Sequence, residues 1–270
     1  MVKIHSQDLD IAKIAESGQC FRLLPDGDGR WTLTALGRVL RIHAAPDGAV
    51  FHCSEAEFDA VWRSYFDLDT DYARFRAAVP PSDLFLTEAA RFGRGIRILR
   101  QDPWEMLVTF LISQRKNIPA IRRSVEALCE LCGEPLEGSR AAFPTPERIA
   151  RLTGCELGGC SLGYRCGYVA AAAQAASARA PDLTALAALD DGALLDALQD
   201  FPGVGPKVAN CVSLFGYHRL SGFPRDVWIS RILDKVYGGV FSPGPYRGFE
   251  GVIQQYMFYY ARSGGKKLPA

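Results

Sequence analysis

Lys207 and Asp226 have the residue types and the setting for covalent chemistry. Lys207 follows two glycines and a proline in 200-DFPGVGPKVANC-211 and leads directly into the apolar run VANCVSLFG. A lysine pressed between a glycine turn and apolar side chains is expected to be partly desolvated, which lowers its pKa and makes its amine a nucleophile near neutral pH. Nineteen positions later, 223-FPRDVWISRIL-233 sets Asp226 between Arg225 and an apolar helix, in the context of an N-cap. Capping is the commoner role for such an aspartate, and one residue can do both. Gly203 and Gly205 add a second capacity, because small residues let a phosphate approach the main chain. The free N–H groups of Gly203, Gly205 and Lys207 at a helix start would then face it. The pattern GxGxxx alone fits an ordinary corner between two helices equally well. It is not a dinucleotide fingerprint, since no strand precedes it and the third glycine is missing.

The elements that must hold these residues are legible around them. The segment 190-DDGALLDALQDF-201 begins with acidic caps and puts Leu194, Leu195 and Leu198 on one face, so it predicts a helix ending at Phe201-Pro202. Pro206 suits the first turn of the next helix, and both glycines are expected to take positive φ in the tight connection. Upstream, RWTLTAL and RVLRIHA alternate apolar and polar residues between the turn signals PDGDG and PDGA. From Glu55 onward helix signals accumulate, with Ser54, Asp102 and Thr145 as candidate caps, the last two before a proline. The predicted fold class is α+β, mainly α. A twisted antiparallel sheet domain with flanking helices spans 1–98, and a helical domain carrying a helix-hairpin-helix spans 99–270.

Composition narrows the partners. With 31 Lys plus Arg against 30 Asp plus Glu, the whole-molecule field cannot draw a polyanion, so any basic patch must be local. The first twenty residues lack the apolar centre of a signal peptide, and 169-VAAAAQAASARA-180 is too short and polar to span a bilayer. A soluble cytoplasmic protein is expected. Eight cysteines invite a metal reading, but Cys129 and Cys132 form the one CxxC and fall at helical core spacing, so we expect reduced thiols and no bound metal.

The string FPGVGPKVAN followed by FPRDVWISRI resembles the helix-hairpin-helix, Gly/Pro-rich loop and aspartate signature of a DNA glycosylase superfamily, and within it the 8-oxoguanine DNA glycosylase/AP lyase family. The strings 17-SGQCFRL-23, 98-ILRQDPWEMLVTFLIS-113, 162-LGYRCGYV-169 and 254-QQYMF-258 resemble that family's in the same order, so the likeness covers nearly the whole chain. It implies a bifunctional repair enzyme, monomeric and nucleoid-associated if bacterial, that flips 8-oxoguanine out of duplex DNA, excises it, and nicks the abasic strand by β-elimination. By the same resemblance Lys207 attacks the sugar C1′, while Asp226 helps keep it neutral and stabilises the cationic sugar. The hairpin at Gly203 and Gly205 grips phosphate, in this superfamily often with a monovalent cation shared between hairpin carbonyls and the DNA.

The same resemblance assigns a base pocket. Gly18 would offer its carbonyl to the N7 proton that distinguishes the lesion from guanine. Cys211 lies one helical turn after Lys207 and would sandwich the base against Phe258, while Gln254, four residues before Phe258, reads its Watson–Crick edge. An aromatic stripe buried as core is the competing reading of YMFYY. Tyr164 and Arg165 match positions that wedge into the vacated stack and touch the orphaned partner base. There are departures: Arg115 stands where many members carry the asparagine that fills the stack, Ala120 replaces an arginine that reads the opposite cytosine, and Trp228 sits where relatives carry a phosphate-contacting histidine. These imply a weaker preference for cytosine, with Arg165 the main reader. Two other readings compete: a monofunctional alkylpurine glycosylase, which would have no reason to keep Lys207, and a non-catalytic helix-hairpin-helix DNA-binding protein, which would need no pocket.

Overall fold

The computed structural model describes residues 1–264. Five strands, β1 (Val2–His5), β2 (Leu23–Pro25), β3 (Arg30–Ala35), β4 (Arg38–Ala45) and β5 (Gly48–Phe51), form one antiparallel sheet in the order β1-β5-β4-β3-β2. Between β3 and β4 the pair Ala35–Arg38 closes over Leu36 and Gly37. Both have positive φ, 53° and 69°, the two-residue turn whose twist matches that of the strands it joins. Leu40 and Ile42 point inward while Arg41 and His43 stay exposed, so the alternation legible in the sequence is the register of the sheet. The first strand, four residues long, was not singled out by that alternation, because its partner β5 lies more than forty residues away.

The buried sheet face packs with Phe58, Trp62, Tyr65 and Phe66 into a small core built from residues 9–66 and Leu99. A second, larger core takes the helices from Tyr72 onward, including the segment up to Ile98 that precedes the boundary expected from sequence. The helices that matter for the site are α1 (Ile11–Glu16), α2 (Leu84–Phe92), α3 (Pro103–Ser113), α4 (Ile118–Cys132), α5 (Arg165–Ser177), α6 (Asp191–Gln199), α7 (Pro206–Phe215), α8 (Val227–Tyr237) and α9 (Glu250–Arg262). Asp102 caps α3 by accepting from the Glu105 N–H at 2.8 Å, with Pro103 in the first turn, and Ser54 accepts from Glu57 N–H at 3.1 Å. Thr145 precedes its helix without a side-chain capping bond. Cys129 is fully buried in α4 as a free thiol. Among the described residues, no helix is long and apolar enough to cross a membrane.

The two cores are stitched by buried polar groups. Asp67 receives Arg100 at 2.9 Å, Tyr72 Oη at 3.0 Å and His218 at 3.4 Å, and Arg97 donates to the backbone carbonyls of Phe66, Asp67, Asp8 and Thr70. Gln19 accepts from Leu99 N–H at 2.8 Å and donates to the Ser17 hydroxyl and the Arg97 carbonyl, both at 2.9 Å. That stitching fixes the loop carrying Gly18 against the helical core.

Candidate active site

The hairpin between α6 and α7 folds as its residues dictate, with one difference. Gly203 has φ +84°, and a Cβ there would stand 2.4 Å from the Tyr168 ring, so position 203 admits glycine alone without rearrangement. Gly205 instead has φ −99° and ψ 179°, an extended N-cap that any residue adopts, and a Cβ there would meet nothing within 4 Å. The expectation of positive φ at both glycines holds only for Gly203. Gly205 leaves open space at the start of α7, with Pro206 in the first turn and no side chain capping the helix. The first N–H groups of α7 are thus left without a capping side chain at the positive end of the helix dipole. Gln114, at the end of α3, braces the loop by donating its Nε2 to the Gly203 carbonyl at 3.2 Å.

In the first turn of α7, Lys207 is half-buried and its ammonium lies 5.2 Å from the centroid of the Phe110 ring. Asp226 caps α8, its Oδ1 accepting from Ile229 N–H at 2.8 Å. Burial raises the Asp226 carboxyl above the ordinary aspartate value, against the opposing pull of that backbone bond and of the Lys207 charge. Cys211, one turn beyond Lys207, is fully buried; desolvation raises its thiol while Lys207 draws it the other way. These three groups are close enough to sense one another, as the spacing along α7 and the cap of α8 predict.

Lys207 and Asp226 stand where three recesses meet. The innermost, about 50 Å³, is lined by Gly18, Cys211, Gln254, Gln255 and Phe258. A wider cleft of about 800 Å³ carries Arg115, Lys116, Arg225, Trp228 and Arg231, and a third of about 370 Å³ runs past Ile118 and Asn117. The fold thus brings Lys207, Asp226, Gly18, Cys211, Gln254 and Phe258 around one narrow cavity, although they come from the loop after α1 and from α7, α8 and α9. Gly18 has φ +77°, and a Cβ there would stand 3.1 Å from Phe258 Cε1, so the glycine permits the aromatic ring to lie against the loop. The ring is part of the cavity rather than of the core stripe formed by its neighbours Tyr256 and Met257, both fully buried.

In sequence identity and fold the chain matches known proteins over most of its length. Residues 1–107 match the family described as 8-oxoguanine DNA glycosylase, N-terminal domain. The chain is 28% identical to the N-glycosylase/DNA lyase OGG1 of Arabidopsis thaliana over 244 residues, 86% of this chain and 67% of that protein. It superposes on a Clostridium acetobutylicum 8-oxoguanine glycosylase/lyase, solved with double-stranded DNA containing cytosine opposite 8-oxoG, with TM-score 0.89, 31% identity, and coverage of 95% of this chain and 93% of that one. With MBOgg1, solved in complex with a low affinity DNA ligand, the TM-score is 0.90 and the identity 35%, over 96% of this chain and 93% of that one. The chain belongs to the 8-oxoguanine DNA glycosylase/lyase family.

The residues expected from sequence to face DNA are arranged unevenly. Tyr164 is exposed at the N-cap of α5, free to project. Arg165, expected to read the partner base, is largely enclosed. Its guanidinium is buried, donates to the Gln114 and Leu162 carbonyls, and packs 4.4 Å from the Tyr164 ring. Two carbonyls and an aromatic face hold it inward, where it braces the Gln114 turn and packs on Tyr164. Arg115 is exposed with φ +50°, a conformation asparagine tolerates better than arginine, which accords with the asparagine of many members at this position. Ala120 is held in the first turn of α4 by the Asn117 cap at 2.9 Å. Trp228 lies beside Arg231, whose guanidinium is 5.7 Å from its ring. Sequence reasoning missed Phe110 beneath Lys207, Gln114 as the brace and Arg231 in the basic cleft, and left open whether Gln254 or Gln255 faces the cavity, which both line. Arg231 could have been found at one helical turn from Asp226's cap, whereas the others are joined to the site only by tertiary contact.

Proposed function

We propose that this chain removes 8-oxoguanine from duplex DNA by attack of Lys207 on the sugar C1′ and then nicks the abasic strand. It is a DNA glycosylase with AP lyase activity, and its partner is double-stranded DNA containing an oxidised purine. The observation that carries the assignment of residues is the convergence of Lys207 and Asp226 on the one cavity lined by Gly18, Cys211 and Phe258. A target base inside the helix must leave the stack to reach such a cavity. A monofunctional alkylpurine enzyme would not need the amine, and a binding module would not need the cavity.

The Lys207 amine forms a bond to C1′ as the C1′–N9 bond breaks and the purine departs. Opening of the sugar at C1′–O4′ leaves an imine between lysine and C1′. Loss of a C2′ proton then expels the 3′ phosphate by β-elimination, and hydrolysis frees the lysine. Attack requires the amine lone pair. Asp226, its carboxyl raised by burial, is placed to accept the ammonium proton in its ionised form; passing that proton to the departing purine leaves it ionised again, to stabilise the positive charge that develops on the sugar. Gly205 and the open N-terminus of α7 receive a phosphate. Carbonyl oxygens suit a monovalent cation, and those of the 201–205 turn would hold one against that phosphate; Gly203's already accepts from Gln114. The cavity is complete within one chain, so the enzyme acts as a monomer, at the genomic DNA in the cytoplasm or nucleoid.

Borohydride reduces the imine and traps a covalent complex. We expect trapping on a duplex containing 8-oxoguanine, and none with Lys207→Gln; trapping by that variant would remove Lys207 from the nucleophile's role.

A further inference from the structure

Two cations grip the chain on either side of Tyr164. Before it, Lys116 Nζ donates to the Ser161 carbonyl and to the Ser124 hydroxyl, both at 2.6 Å. Ser124 on α4 is 1% exposed and gives that bridge a fixed end. After it, Arg165 Nε donates to the Gln114 carbonyl at 2.8 Å, and its Nη1 to the Leu162 carbonyl at 3.1 Å. Gln114 and Lys116 belong to the one turn that follows α3, so that turn holds both ends of the segment 161–165.

The segment needs such a hold. Ser161 has φ +57°, a left-handed conformation that costs an L residue energy, and Ser161, Gly163 and Tyr164 are all exposed. A strained and mostly exposed loop keeps one shape only where its surroundings over-determine it. Partial burial lowers the Lys116 pKa, with the neighbouring charges of Arg165 and Arg123 adding to the fall. Bringing two like charges to one loop is unfavourable by itself, and the carbonyls they share offset it. What the clamp presents is the Tyr164 ring, 56% exposed. From behind, the ring is backed by the Arg165 guanidinium at 4.4 Å and by the edge-on Tyr168 ring at 6.0 Å. A flat side chain held this way can enter the gap that an extruded base leaves in the stack.

We propose that Lys116 is a positioning residue for base extrusion: its ammonium ties the loop before Tyr164 to α4 and to the Gln114 turn, so that the exposed ring is already set when the duplex arrives. The inference rests on the excision of 8-oxoguanine proposed above. Lys116 also lines the wide cleft, where its charge alone would attract DNA. Acting through Tyr164 differs from that in what it accelerates, because a base that is already unstacked needs no wedge.

The test is single-turnover release of 8-oxoguanine from a fully paired duplex and from a bubble, in which mismatched neighbours leave the lesion unstacked. Lys116→Met keeps the length of the side chain and loses its donors; release from the duplex is expected to fall about tenfold, and release from the bubble to stay at the wild-type rate. Ser124→Ala, which leaves the charge in the cleft, should lower duplex release in the same direction by less. In the Tyr164→Ala background Lys116→Met should cost little more, since both changes remove one function. Thermal melting identifies a variant that fails to fold. Equal losses on duplex and bubble in folded variants, or losses that add to those of Tyr164→Ala, would overturn the inference and leave Lys116 as a plain DNA contact. The fluorescence of 2-aminopurine beside the lesion reports unstacking without excision, and should rise less with Lys116→Met than with wild type. Wild-type protein that raises it yet releases no 8-oxoguanine would sink the proposed excision and leave the clamp standing, whereas no rise with wild type would overturn the clamp.

Discussion

Asp226 carries two jobs that substitution can separate. As the cap of α8 it needs only an oxygen to accept from Ile229, and asparagine supplies one. As the partner of Lys207 it needs a carboxylate. Asp226→Asn should therefore melt within about 0.5 kcal/mol of wild type, while base release slows by roughly a hundredfold to ten-thousandfold. Asp226→Ala should lose about 1 kcal/mol of stability as well. Binding to an uncleavable duplex should change far less than the rate in Asp226→Asn; equal losses in binding and rate would reduce the residue to a cap. The pH profile supplies a further check. Because burial raises the carboxyl, the acidic limb of wild-type base release should fall at a higher pH than an ordinary aspartate would give, and that limb should vanish in Asp226→Asn.

The hairpin shows why two glycines in one motif are not equivalent. Gly203→Ala forces an L side chain into positive φ and drives its methyl into the Tyr168 ring, so the fold should lose about 2 kcal/mol or more. Gly205→Ala meets no protein atom and keeps its backbone conformation, so stability should change by no more than about 1 kcal/mol. Its methyl would stand between the open helix start and the phosphate, and affinity for duplex DNA should drop on the order of tenfold. Melting curves and DNA titration of the pair check both halves; equal melting losses would mean that position 205 is structural too. The sequence could not separate these glycines, because positive φ is set by the packing of Tyr168, a residue on another helix. It did place the hairpin, Lys207 and the Asp226 cap, since capping chemistry and helical spacing are local. The enclosure of Arg165 was not legible because it depends on the Gln114 turn folding over it, and the choice between Gln254 and Gln255 stayed open because helical spacing does not tell which of two neighbours a cavity will take.

At the scale of the whole molecule, the sheet and the helices meet over a buried ionic cluster that makes stability depend on pH. Arg22, 1% exposed, reaches across from the strand side to Glu126 on α4 at 2.8 Å and to the Ala141 carbonyl at 2.6 Å. Glu105 on α3 is buried nearby, and desolvation pushes its carboxyl up to about 7, with Arg22 opposing and Asp102 and Glu126 adding to the rise. A carboxyl raised in the folded state favours the protonated form. Its cost is absent below the ordinary value of 4.5, grows as pH rises, and is complete above about 7. At roughly 1.4 kcal/mol for each pH unit, that cost is on the order of 3 to 4 kcal/mol at most. Glu105→Gln keeps the size and removes the titration. Urea unfolding at pH 8 should find the variant more stable than wild type by an amount of this order, about 2 to 3 kcal/mol, and the difference should shrink toward pH 5. A variant less stable than wild type at pH 8 would mean that Glu105 is ionised and joined to Arg22, so that the junction is held by a buried ion pair.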